Sequence, residues 1–201
     1  TDQKSGESPS ADMFDQASEA YQPKITRPAT MTFDCGTDHK QSLLTKASRL
    51  DCYDRLVHHD HNEPLPFDDG AFQTVYCNAT YWVDQIDAFL AEIRRITAPG
   101  GVAVLQVKLD TITEYTLDRH RDVLGDRWLA TINRGRFATW PALCDRSTWE
   151  SRFTDAGFDI REATPFVTGT HAHVWDVGIR PIAPMLTKTM NAIHPHLRRE
   201  I

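Results

Sequence analysis

The chain has 201 residues, 40% hydrophobic and 25% charged, with a formal net charge of −6. That length suits one α/β domain with a real core and is short for two. The composition is that of an ordinary soluble protein, the acidic balance argues against a nucleic-acid partner, and no apolar run predicts a membrane span.

Residues 1–10 are polar and Ser-rich and read as a flexible start without the apolar core of a signal peptide. Residues 11–21 read as a short helix with Met13, Phe14 and Ala17 on one face, broken by Pro23 and Pro28. A strand is expected over 31–38, ending on Asp38, and a helix over 41–50 with Leu43, Leu44, Ala47 and Leu50 at helical spacing. Short strands follow at 55–60 and 72–80.

The clearest helix is 84–98. Ile86, Phe89, Leu90, Ile93 and Ile96 form its apolar stripe, Glu92, Arg94 and Arg95 its solvated face, and Asp84 its expected N-cap. Pro99-Gly100-Gly101 is expected to end it, and 102–109 reads as a strand covered on both faces. Residues 111–132 read as helical, and 147–156 as a helix capped by Ser147 and stopped by Gly157. Two strands, 159–168 and 171–178, are expected to pair as a hairpin through Thr168-Gly169-Thr170, leaving 181–201 as a tail. Strands alternating with helices predict βαβ units and a mostly parallel sheet.

In open parallel sheets ligands gather at the carboxyl ends of strands. Asp38 stands at one such end, where an acid can accept from adjacent ribose hydroxyls or serve as a helix cap. Asp60 stands at the next, suited to accept from an amine. Asn78, Tyr81 and Trp82 follow another strand, in Y-C-N-A-T-Y-W-V. His58, His59 and His61 flank Asp60 but alternate between strand faces, so no metal is expected. His171 and His173 share one face of the expected hairpin strand and, with His120, are the candidate general bases. The four cysteines form no C-x-x-C pair and read as free thiols in a reducing cytoplasm.

The stretch D-H-N-E-P-L-P-F-D-D-G-A-F-Q-T-V-Y-C-N-A-T-Y-W-V, its helix, and A-P-G-G-V-A-V-L-Q-V-K-L together resemble the middle of a class I S-adenosylmethionine-dependent methyltransferase of the small-molecule branch, the type 11-like group. The resemblance spans residues 31–178. It implies a Rossmann-like three-layer α/β sandwich, with a mostly parallel sheet and a C-terminal antiparallel hairpin. The methyltransferase-like domain would run over 1–180, with 110–150 an insert that covers the substrate.

The implied cofactor is S-adenosylmethionine, and the implied reaction is methyl transfer to oxygen, nitrogen or carbon of a small-molecule acceptor. Asp38 with the adjoining His39 would hold the ribose, Asp60 and His61 the adenine, and Asn78 the inner edge of the cofactor site. Tyr81, Trp82, Tyr115 and Arg136 would meet the substrate, with His120, Trp128, Arg134 and Trp140 also in the covering insert. Arg134 and Arg136 suit an anionic acceptor or a solvated face.

The family's first motif, a strand followed by a glycine-rich loop, has no counterpart in residues 7–17, and Gly6 is the only glycine before Gly36. Three readings follow: a fragment lacking the first strand, a diverged loop that keeps the cofactor, or an inactive scaffold that does not bind it. Exposed strand edges would then favour a homodimer. A nucleotide-dependent oxidoreductase is the remaining alternative, disfavoured by the absent G-x-G-x-x-G.

Overall fold

The structure is a computed structural model that describes residues 25, 27–133 and 140–193. The helix expected at 11–21 therefore lies outside the described residues, as do Arg134 and Arg136. The chain divides into two compact units, residues 1–59 with 179–201, and residues 60–178.

The first unit is a βαβ motif. Strand β1 (Phe33–Asp38) pairs in parallel with β2 (Tyr53–His58), from Phe33 opposite Tyr53 to Asp38 opposite His58. Helix α1 (Gln41–Ala47) joins them and runs on into a 3₁₀ turn, Ser48–Leu50. Only Leu44 of the expected apolar face is buried, and Leu50 is exposed. Gly36 lies under the Tyr53 ring, where an added Cβ would stand 2.9 Å from Tyr53 Cε1, so the strand can approach that ring only without a side chain here.

The second unit opens with another βαβ motif. Strands β3 (Phe72–Cys77) and β4 (Thr97–Leu105) pair in parallel across helix α2 (Ile86–Ile96). All five residues of the stripe read from the sequence are buried and centre the hydrophobic core, which also takes in Leu65, Cys77, Val83, Ala142 and Trp149. Burying each large side chain stabilises the fold by about 1.5–3 kcal/mol.

Several local expectations are corrected. Asp84 does not cap α2: the cap position falls to Gln85, which makes no side-chain bond, and the Asp84 backbone N–H donates to Asn62 Oδ1 at 2.8 Å. Glu92 and Arg95 are not simply solvated. Arg95 donates to both Glu92 carboxylate oxygens, to Asp69 Oδ1, and to the carbonyls of Phe67 and Leu65, while Glu92 Oε2 accepts from Leu65 N–H at 2.8 Å. The L-P-F-D-D segment is thereby lashed to α2.

Pro99-Gly100-Gly101 lies inside β4 rather than before it. Between the pairs Phe72–Thr97 and Thr74–Val102 the ladder advances two residues on β3 and five on β4, and Gly100 takes φ +75° to make the bulge. Beyond it Ala103 and Leu105 pack on the core, whereas Val102 and Val104 are exposed, so within its unit β4 is covered on one face and not both.

The region expected as one helix over 111–132 is broken. Two 3₁₀ turns, Asp110–Tyr115 and Leu117–His120, precede α3 (Arg121–Leu124) and α4 (Asp126–Asn133), with breaks at extended Thr116 and at Gly125, φ +74°. Helix α5 (Arg146–Asp155) is capped by Asp145, which accepts from Thr148 N–H at 2.7 Å, and not by Ser147; Gly157, φ +85°, stops it as expected.

The C-terminal hairpin does not form among the described residues. Residues 159–168 form no strand, and Gly169–His173 is helix α6, followed by a π turn, Val174–Ile179. Thr168 is the helix cap and not a turn residue: its hydroxyl accepts from His171 N–H. In the tail, α7 spans Ala183–Ala192. Parallel strands alternating with helices in two βαβ motifs make this a Rossmann-like α/β fold.

Candidate functional site

The candidate residues are divided between the units, and each set is taken by itself. In the first unit Asp38 closes β1. Its Oδ1 accepts from Lys40 N–H at 2.7 Å, a short turn that leads into α1, and His39 Nδ1 lies 3.6 Å from the same oxygen. His58 Nε2 is 2.7 Å from the His39 carbonyl, and His59 N–H donates to the Asp38 carbonyl. The Asp38 side chain is 33% exposed and borders a small cavity of about 180 Å³ lined also by Gly36, Leu43, Tyr53 and Leu56.

In the second unit Asp60 follows the end of β2. Its Oδ1 accepts from both the N–H and the side-chain amide of Asn62, whose Oδ1 in turn holds Asp84 N–H. His61 stacks on Phe89 with ring centroids 5.6 Å apart. Both residues thus fix the loop leading into L-P-F-D-D.

The carboxyl ends of β3 and β4 meet more closely. Gln106 N–H donates to the Cys77 carbonyl, and the Thr80 hydroxyl donates to the Gln106 carbonyl. Asn78 is exposed at this edge, beside buried Cys77, whose thiol burial pushes up in pKa. Tyr81 is buried, Trp82 half exposed, and their rings meet edge-on at 5.0 Å. Trp140 stands perpendicular to Tyr81 at 6.2 Å.

The Lys108 ammonium lies over both of those rings, 3.9 Å from the Tyr81 centroid and 3.5 Å from that of Trp140. The backbone of Lys108 is tied to α5, since its carbonyl accepts from the Trp149 indole N–H at 3.0 Å. Burial first, then Cys77 and Tyr76, raise the Tyr81 phenol above its ordinary value of 10, so it stays neutral.

Sequence reading missed Lys108. The available signal was a lysine in the otherwise apolar run V-A-V-L-Q-V-K-L, at the ligand end of a parallel strand.

Among the described residues, no hydrogen bond or ring contact brings Tyr115, His120, His171 or His173 to this edge. Tyr115 is 40% exposed and covers Gly169, where an added Cβ would come within 2.3 Å of the ring. Leu117 N–H donates to buried Asp176 Oδ2 at 2.8 Å, which ties the 3₁₀ turn Leu117–His120 to the π turn. His120 is exposed. His171 Nδ1 is 2.8 Å from the Thr168 hydroxyl, and on a helix His171 and His173 no longer share a face as they would on a strand. No described helix is long and apolar enough to cross a membrane.

Residues 9–105 match the family model described as a methyltransferase domain. A malonyl-[acyl-carrier protein] O-methyltransferase of Erwinia pyrifoliae is 32% identical over 111 residues, 52% of this chain. The chain spans 38% of that relative's length. Among solved structures, the [4+2]-cyclase SpnF aligns over 78% of this chain and 51% of its own, with a TM-score of 0.52 at 18% identity. A Bacillus halodurans chain provisionally assigned as a methyltransferase aligns over 64% and 54%, with a TM-score of 0.47 at 19% identity. Residues 9–105 are thus similar to a methyltransferase domain.

Proposed function

We propose that this chain transfers a methyl group from S-adenosylmethionine to oxygen, nitrogen or carbon of a small-molecule acceptor, within a methyltransferase-like domain over residues 1–180. The observation that carries the reading is Asp38, a partly exposed carboxylate at the carboxyl end of a parallel strand, on the rim of a cavity. Its chemistry fits the cofactor: a carboxylate is an acceptor pair for the two ribose hydroxyls. Asp60 is a second acceptor suited to the adenine amine, and His61 and Asn78 complete the set. The cofactor supplies a sulfonium methyl, already strongly electrophilic, so the chain's work is chiefly alignment. Tyr81 and Trp82 offer aromatic surface for the acceptor, and Tyr115, His120 and Arg136 belong to the covering insert. His171 and His173 remain candidate bases, although alignment alone can carry such a transfer.

A second reading, a scaffold that does not bind the cofactor, draws support from the same atoms. Asp38 and Asp60 each commit an oxygen to a nearby backbone N–H, as purely structural acids do. The shared fold does not decide between them, since one fold hosts many functions. Calorimetric titration with S-adenosylhomocysteine tests the choice. The first reading expects binding that Asp38→Ala weakens by about tenfold or more, the worth of hydrogen bonds to a charged group. An intact chain that takes up no ligand sinks it in favour of the scaffold.

A further inference from the structure

We propose that His58, at the carboxyl end of β2, is a positioning residue for the cofactor: its ring holds the turn that follows β1 and thereby aims the Asp38 carboxylate at the ribose. The inference deepens the methyl-transfer reading and rests on it for the role of Asp38.

The whole arrangement lies in the first unit. Strands β1 and β2 end together, with Asp38 opposite His58 in parallel register. Beyond that pair the ladder continues by one backbone bond, from His59 N–H to the Asp38 carbonyl at 3.1 Å. The next carbonyl, that of His39, receives His58 Nε2 at 2.7 Å. A carbonyl only accepts, so Nε2 carries the proton. Two consecutive residues of one strand thus hold two consecutive carbonyls of the turn that leaves the other.

The same turn is held from its far side. Lys40 N–H donates to Asp38 Oδ1 at 2.7 Å, and the Lys40 carbonyl accepts from Leu43 and Leu44 N–H at 3.0 and 3.3 Å where α1 begins. With the peptides from Asp38 to Lys40 fixed and Oδ1 fixed among them, the direction of Oδ2 follows. A carboxylate that must meet two adjacent hydroxyls benefits from being set in advance, because less freedom is lost when the ligand binds. Without the His58 bond the His39 carbonyl turns to water and the turn gains freedom directly beside Asp38. The neighbouring His39 ring cannot substitute, since its Nδ1 stands 3.6 Å from Asp38 Oδ1, beyond hydrogen-bond reach, and the side chain is 62% exposed. The His58 bond is itself exposed, which bounds its effect to a weakening of about fivefold rather than a loss of binding.

The test is calorimetric titration of the full chain with S-adenosylhomocysteine, for wild type, His58→Phe, His58→Gln, Asp38→Ala, and Asp38→Ala combined with His58→Phe. Phe keeps a ring and removes the donor, whereas the Gln amide presents an N–H at about the reach of Nε2. His58→Phe should weaken binding by about fivefold, and His58→Gln should recover most of that. Once Asp38 is Ala, His58→Phe should add no further loss, as expected of residues that act through one another. A histidine with only a structural role would weaken binding equally in both backgrounds.

If His58→Phe lowers the urea midpoint, the reading is taken from the ratio of affinities for S-adenosylhomocysteine and its 2′-deoxy counterpart, which a smaller folded fraction leaves unchanged. Wild type should favour the intact ribose, and His58→Phe should narrow that preference by about fivefold. Undiminished binding by His58→Phe, no recovery in His58→Gln, or an equal loss with and without Asp38 overturns the inference and leaves methyl transfer standing. A wild-type chain that takes up no S-adenosylhomocysteine, or takes it up regardless of Asp38→Ala, removes the ribose role of Asp38 and this inference with it.

Discussion

Arg95 and Glu92 show how much structural work single side chains do in this protein. Hydrogen bonding from Arg95, with Leu65 N–H adding to it, holds the Glu92 carboxyl below its ordinary value of 4.5. Because the folded-state value is the lower one, the bond's contribution is complete above the ordinary value and disappears as pH falls through the depressed one. The urea midpoint of wild type should therefore decline between pH 5 and pH 3 more steeply than that of Glu92→Gln; identical slopes would show that Glu92 adds nothing pH-dependent. At neutral pH Glu92→Gln should also loosen the L-P-F-D-D segment, seen as faster proteolysis there. The sequence alone placed both residues on a wet face, because their partners, Leu65, Phe67 and Asp69, come from a preceding loop that helical periodicity does not register.

Among the elements, the apolar stripe of α2 was legible in full. Its five apolar residues recur at three- and four-residue steps, and burial of one face is what a helix of that pattern does in any context. Leu90, fully buried at its centre, should lose about 2–5 kcal/mol of stability as Leu90→Ala, while exposed Ala88→Gln should stay within about 0.5 kcal/mol of wild type in the same urea titration. The ends of elements were less legible, since caps are settled by single competing bonds. Gln85 stands at the cap position expected for Asp84, and Asp145 caps α5 in place of Ser147. The hairpin failed for a related reason. T-G-T-H-A-H alternates as a strand should, but a threonine hydroxyl that accepts from the third residue onward starts a helix just as well. The strand-end acids could be read from order and spacing, whereas the Lys108 cluster joins three distant segments and becomes visible only once β3, β4 and the Trp140 region are folded.

At the scale of the whole molecule, the two units differ in what they bury. Every member of the hydrophobic core cluster lies in residues 60–178, whereas the described part of the other unit buries only Leu44 and Cys52 among its apolar residues. Native-state hydrogen exchange should therefore find the slowest amides in α2, β3 and β4, with β1 and β2 opening at a lower free energy; equal protection in both would mean that the units unfold as one. The β4 bulge, finally, bears on how such a chain can change over generations. An added Cβ at Gly101 would meet the Gln73 carbonyl at 2.8 Å, yet at Gly100 it would meet nothing within 4 Å, and Pro99 is exposed. One residue of the lip is locked and its neighbours face open space, while the ladder resumes in register from Thr74 and Val102. A peptide spliced between Pro99 and Gly100 would lengthen only that lip, which makes the bulge the natural port for grafting an epitope tag, or for a lineage to acquire a new loop without disturbing the sheet.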